Sequence, residues 1–344
     1  MVKQLNPGLA RLYAAANKRQ YGYHQPVVVE NLSRGQERAL DILEQGVSDN
    51  QLHLLPKLAH ASEPEILNLL ARLGSAVRQT SSFHPEFTEK QVSERFSEIL
   101  RIFTSSEQDP AEVMKNRKRQ RVFTNEISKF GLTLARGLES TGVGLLLTDD
   151  NSRVSKFDCG SLGFSKSQIG FQRAIAARSL VSTGLQIQPH SRVSASFDRV
   201  DIAVLASTDV TNPSLYQPWL ARDTPHIAVS FTEAGVEISH LVIPGLTPCL
   251  GCIEIGRAQQ DPEWVSIATQ LDYLDRDLSD ATSLMFAASI VLSRVLARID
   301  SGLIPNPNPM IKLSAHSGEV MQLEPAAVNC GCQSVSNSET GLSS

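Results

Sequence analysis

The sequence predicts an α/β protein, a mainly parallel sheet with helices on both faces, preceded by a small winged-helix-like domain. Two observations carry this. From Val122 onward, short apolar runs alternate with segments of helical spacing in a β-α-β-α-β order. Before residue 80, three Ser-x-x-Glu/Gln motifs each precede a short amphipathic stretch, which is the mark of helix N-termini. Between these regions lies a Ser/Thr/Pro-flanked helical segment that reads as a connector. The predicted boundaries are therefore 1–82 for the first domain, 83–117 for a helical linker, 118–333 for the α/β domain and 334–344 for a polar, disordered tail.

In the first domain, Val27, Val28 and Val29 form a β-branched strand signal. Ser33 with Gln36, Ser48 with Gln51 and Ser62 with Glu65 open three helices by capping boxes. Their apolar positions are Leu40 and Leu43, then Leu52, Leu55 and Leu58, then Ile66, Leu69, Leu70 and Leu73, with Gly74 as the stop. "SAVRQT" closes the domain as a strand. Residues 1–80 hold nine Lys/Arg against seven Asp/Glu, so the basic face that DNA binding requires is missing, and peptide docking or a structural role is favoured. "KNRKRQR", 115–121, reads either as a phosphate patch or as a solvated segment leading into a strand.

In the α/β domain, "RVFTN", "GVGLLLTDD" and "RVDIAVLAST" are strands, and "PHIAVSFTEAGVEISHLVIPG" is a strand pair turning at Ala234 and Gly235. Helices fall over "KFGLTLARGLEST" and "SQIGFQRAIAARSLV". A long helix over 279–300 begins at an Asp or Ser cap and carries Leu284, Ala287, Ala288, Val291, Leu292, Val295 and Leu296 on one broad face. "GLIPNPNPM" follows as a loop.

A formal net charge of -4 and a pI near 6.1 offer no global attraction to nucleic acid or to an anionic membrane. The N-terminus lacks a signal-peptide apolar run, and no stretch reads as a membrane span of about 20 apolar residues, so a cytoplasmic protein is expected. In that reducing setting five cysteines do not suggest a disulfide framework. Cys249 and Cys252 form a CxxC pair, and Cys330 and Cys332 a later CxC pair. Together they supply four thiolates, the set a structural zinc ion prefers. A redox CxxC is the rival, but it would sit at a helix N-terminus and would not need a second pair. Cys159 is a small structural side chain, or a nucleophile whose base is not identifiable.

"ESTGVGLLLTDDNSRV", "SQIGFQRAIAARSL", "LASTDV", "VIPGLTPCLGC" and the late "CGC" resemble successive blocks of the ThiF/E1-like superfamily, which activates ubiquitin-like proteins and peptides by C-terminal adenylation. "QQDPEWVSIATQL" is similar to an acidic-Pro-x-Trp block in the E1-like leader-peptide-binding partners of bacterial azoline cyclodehydratases. The resemblance covers roughly 20–75 and 118–333. It implies a Rossmann-like E1/ThiF-type sheet, a homodimer, and a leader peptide or ubiquitin-like protein as partner.

It also implies an ATP/Mg2+ site, which this chain matches only in part. Of the family's G-x-G-x-x-G phosphate turn only Gly131 remains, with Glu126 and Ser128 at the other two positions. Asp149 and Asp150 stand where an acid binds ribose, and Asp209 where an acid holds magnesium. These acids also fit as caps of following helices. Arg173 replaces a phosphate-binding lysine and reads otherwise as a surface charge, while "DCGSLGF" replaces the block that supplies an arginine. Three functions follow: a peptide-binding protein with a filled-in nucleotide site, an active ATP-dependent adenylyltransferase, or a DNA-binding regulator.

Overall fold

The computed structural model describes residues 1–81, 88–181, 184–189, 199–302, 308–324 and 330–332. The predicted disordered tail and most of the Pro/Asn-rich loop lie outside them. The chain forms two compact units, Met1–Asn116 and Arg117–Ser344.

The first unit contains β1 (Val2–Leu5), β2 (Arg11–Ala15), β3 (Lys18–Tyr21), β4 (Val27–Val29), α1 (Arg34–Gln45), β5 (Val47–Ser48), α2 (Leu55–Ala59), α3 (Glu63–Leu73), β6 (Val77–Thr80), α4 (Glu89–Glu94), α5 (Phe96–Ser105) and most of α6 (Pro110–Arg119). Strands pair as β5-β1-β6 and β2-β3-β4, and α1, α2 and α3 bury Leu40, Leu43, Leu55, Leu69 and Leu73 between them. The boxes at Ser33 and Ser62 form as expected. Ser33 Oγ also donates to Glu65, and Gln36 Nε2 to the Glu65 carbonyl, so the two helix starts are stitched together.

The box at Ser48 does not form. Its hydroxyl donates to the Gln51 side chain, and the chain takes a 3-10 turn at 49–54 before α2 begins under Pro56. The predicted linker helices belong to this unit, with Asn6 Nδ2 donating to the Phe103 carbonyl at 2.9 Å. The basic run forms the end of α6 and leads directly into β7 (Arg121–Thr124), with Asn116 and Arg119 exposed as a solvated segment would have them, and it departs from that reading at one residue. Its Arg117 is 4% exposed, pairs with Asp300 at 2.6 Å and donates to the Thr141 carbonyl.

The second unit is built on an eight-stranded sheet. In chain order its elements are β7 (Arg121–Thr124), α7 (Lys129–Ser140), β8 (Leu145–Thr148), α8 (Arg173–Arg178), β9 (Gln186–Pro189), β10 (Ile202–Thr208), α9 (Pro213–Leu220), β11 (His226–Thr232), β12 (Gly235–Ile238), α10 (Leu250–Gln260), α11 (Trp264–Asp272), α12 (Ala281–Ser301), β13 (Met310–Ser314) and β14 (Val320–Leu323). The sheet order is β14-β13-β12-β11-β10-β7-β8-β9. Strands β11 to β9 pair in parallel, and β11 to β14 form an antiparallel meander.

Neighbouring residues on the central strands face opposite cores, which is why these strands read as unbroken apolar runs. Val122, Leu146 and Val204 pack with α7 and α12, whereas Phe123, Leu147 and Leu205 pack with Trp219 and the start of α10. Helix α8 is shorter than the spacing over 167–181 suggests, because Gly170 takes φ +88° and ends a 3-10 turn before the helix starts. Helix α12 is long and apolar enough to cross a membrane by length and composition, contrary to the sequence reading. Its Leu284, Ala287, Val291 and Val295 are buried in the core against α7 and β12, which is the placement of a core helix.

Candidate functional site

The four predicted cysteines meet. Their Sγ atoms lie within 4.8 Å of one another, with separations of 3.9 Å for Cys249 to Cys252, 3.7 Å for Cys249 to Cys330 and 3.5 Å for Cys252 to Cys332. A tetrahedron of 2.3 Å metal–sulfur bonds has edges of about 3.8 Å, and a disulfide would need about 2 Å, so the set has the dimensions of a metal cage. One expectation is corrected: Cys249 is the N-cap of α10 and Cys252 lies in its first turn, so the CxxC does occupy a helix N-terminus. There the helix dipole favours thiolates. Burial, with the neighbouring Cys330 and Cys332 thiols, pushes Cys249 up to about 11, while at Cys332 burial is outweighed by the hydrogen bonds it receives within the cluster, which lower it. His240 fixes the turn by donating from Nε2 to the Pro248 carbonyl at 2.6 Å, one residue before Cys249.

The nucleotide-site candidates gather at a second place. A cavity of about 720 Å³ opens at the C-terminal ends of β7, β10 and β11, where ligands bind in open α/β sheets. Arg173 lines it and is not a surface charge: its side chain is 19% exposed, 2.7 Å from Asp158 and 3.7 Å from Asp150. Asp150 itself braces the loop after β7. Its two carboxylate oxygens accept the Ile127 and Ser152 amides, each at 2.8 Å. Asp209, strained at φ +61° and 6% exposed, is held by Arg276 at 2.8 Å. Asp149 is half-buried at the end of β8.

Glu126 sits at the cavity wall just before α7, where a phosphate turn would place an anion on the helix N-terminus. Burial raises its carboxyl above the usual range, only partly offset by the Ser128 hydroxyl that donates to it at 2.5 Å and by Arg173. Gly131 is required by packing: a Cβ there would lie 2.1 Å from the Glu126 carbonyl oxygen.

Sequence reasoning missed Lys129, Asp158, Arg276 and Asp277, which complete the ion pairs of this cavity. Helix α7 spacing shows Lys129 only as polar, and Arg276 and Asp277 lie in a loop without periodicity. Cys159 Sγ lies near the Ser155 and Ser165 carbonyls at 3.5 and 3.6 Å, a local structural fit.

Neither a protein-family model nor a curated protein sequence matches the chain. Solved structures do. E. coli MccB with ATP is similar with a TM-score of 0.66 and 15% identity, over 96% of this chain and 98% of that one. The microcin C7 biosynthetic enzyme MccB in complex with N-formylated MccA gives 0.66 and 15%, over 97% and 100%. PaaA gives 0.68 and 15%, over 92% and 98%. Coverage of this extent, with the parallel sheet and its antiparallel extension in place, shows that the chain has the E1-like, ThiF-type fold.

Proposed function

We propose that this is a zinc-stapled E1-like protein whose nucleotide pocket no longer suits ATP and which works by binding a peptide or protein partner. The observation that carries the reading is the charge at the strand-end cavity. Its lining holds Lys129, Arg173 and Arg276 against Glu126, Asp158, Asp275 and Asp277. Each of the three bases is already paired with an acid. A triphosphate needs unpaired donors and a glycine-lined turn, whereas here a carboxylate and two Cβ atoms occupy the approach. Cys249, Cys252, Cys330 and Cys332 would hold the zinc, which joins loops nearly eighty residues apart.

The partner reading is supported by fold likeness to MccB, which is solved with N-formylated MccA. It is also supported by a cavity of about 1030 Å³ in the first unit, walled by Leu9, Tyr23, Val27 and Phe103. We read that unit as a winged-helix-like clamp that adds a leader strand to an exposed edge or groove.

The test is equilibrium dialysis of the full chain against Mg2+·ATP, with ATP–pyrophosphate exchange in the presence of peptides encoded by neighbouring short reading frames. The expected result is no ATP retention at 1 mM, on the order of physiological substrate levels, no exchange, and retention of one of those peptides. Exchange above background would instead assign an adenylyltransferase in which Asp209 holds magnesium, Asp149 or Asp150 the ribose and Arg173 a phosphate.

A further inference from the structure

His240 is fully buried, and only one of its ring nitrogens is used. Nε2 donates to the Pro248 carbonyl at 2.6 Å. A carbonyl only accepts, so Nδ1 carries the lone pair of the neutral ring, and it has no hydrogen-bond partner among the described residues. A buried acceptor left unpaired costs free energy that an apolar side chain of similar shape would avoid. The ring is therefore poor core filling, and what it supplies is one N–H at one place.

The segment that carries the ring is fixed from the sheet side. Just past β12, the Ser239 amide bonds to the Ala228 carbonyl of β11, and the Ser239 hydroxyl accepts from the Ala228 amide and donates to the His240 carbonyl, each at 2.8 Å. Leu241 exchanges both of its backbone groups with the Asn308 side chain, and Val242 pairs with His226 in an antiparallel bridge. Residues 243–248 then turn back toward the ring. The Leu246 and Thr247 amides donate to the Ile243 carbonyl, the Thr247 hydroxyl accepts from the Ile243 amide at 2.7 Å, and Gly245 takes φ +78°.

The Pro248 carbonyl belongs to the same planar peptide unit as the nitrogen and Cα of Cys249. Holding that oxygen orients the backbone from which the Cys249 sulfur projects. On the other side, the Cys252 amide bonds to the Cys249 carbonyl at 3.0 Å in the first turn of α10. The 3.9 Å separation of these two sulfurs is thus set by a clamp on the strand side and by a helix turn, neither of which uses Cys330 or Cys332. We infer that His240 is a positioning residue of the sulfur site: it presets the CxxC half at ligand spacing, and Cys330 and Cys332 close on the ion from the other side. The inference rests on the zinc reading and adds to it the residue outside the four cysteines that governs affinity.

Substitution in the full chain tests it. Gln carries an amide N–H near the place of the imidazole Nε2, whereas Asn stops one carbon short and Leu has no donor. Competition with a chromophoric chelator should give zinc dissociation constants raised about 10- to 100-fold in His240→Leu and His240→Asn, and close to wild type in His240→Gln. Cobalt in place of zinc should show the visible and thiolate charge-transfer bands of a tetrahedral four-sulfur site in wild type and His240→Gln, weakened in the other two at equal cobalt. His226→Leu removes an equally buried ring that bonds the Thr224 carbonyl instead, and it should lower the melting temperature of the metal-free chain without moving zinc affinity. A merely structural His240 would make the two leucine variants behave alike, and where His240→Leu does not fold, the Asn and Gln pair carries the comparison. The inference alone is overturned by a wild-type chain that holds zinc and a His240→Asn chain that holds it as tightly, or by a His240→Gln chain as weak as His240→Asn. A wild-type chain that takes up no metal overturns it together with the zinc reading.

Discussion

His226 is fully buried, with Nδ1 donating to the Thr224 carbonyl at 2.9 Å and Nε2 without a hydrogen-bond partner among the described residues. Burial lowers its pKa to about 4. The folded chain therefore holds the ring neutral while the unfolded chain protonates it near pH 6.5. The stabilisation is complete above about pH 6.5 and is lost as pH falls toward 4, at roughly 1.4 kcal/mol per unit and about 3 kcal/mol in all. His240, also lowered by burial, acts in the same direction. Urea unfolding at pH 7, 6 and 5 should show this acid limb, and His226→Gln should flatten it; an unchanged slope in the variant would assign the limb to other groups.

The cysteines were legible because two short spacings state the chemistry by themselves. The ion pairs of Arg276 with Asp209 and Lys129 with Asp277 were not, since their partners lie 67 and 148 residues apart. Gly131 was legible as a remnant of the turn, but not the Glu126 carbonyl oxygen beside it, which leaves no room for a Cβ.

Among elements, the helices were read where a cap and a long apolar face agreed, as at Ser33, Ser62 and Asp280. The Ser48 motif shows the limit of the pattern. Its spacing is correct, but it opens a 3-10 turn instead of an α-helix, and the Ser48 hydroxyl donates to the Gln51 side chain without accepting a backbone amide. Ser62→Ala should therefore cost about 1 kcal/mol of unfolding free energy, whereas Ser48→Ala should change it by less than about 0.5 kcal/mol. Equal losses would mean that both motifs cap. Strands β2 and β3 escaped notice because "RLYAA" and "KRQY" lack apolar alternation, and β14 because all four of its residues are exposed. Such strands are specified by their neighbours in the sheet more than by their own residues.

At the scale of the whole molecule, the parallel sheet was readable from its apolar runs, while its antiparallel extension through β13 and β14 was not. Among the described residues that follow this extension, Cys330 and Cys332 pack beside Cys249, Cys252 and Trp219 at the start of α10. A metal there would close a loop of nearly eighty residues, and structural zinc contributes on the order of 10 kcal/mol. The first unit has a separate core built from α1, α2 and α3 and contains no cysteine. Calorimetry of the zinc-loaded chain should resolve two transitions. Chelation, or Cys330→Ser, should lower one by at least about 20 °C and leave the other within a few degrees. Elemental analysis should find one zinc per chain before chelation and none after. Equal shifts in both transitions, or none, would show that the four sulfurs do not anchor the second unit in the way their geometry implies.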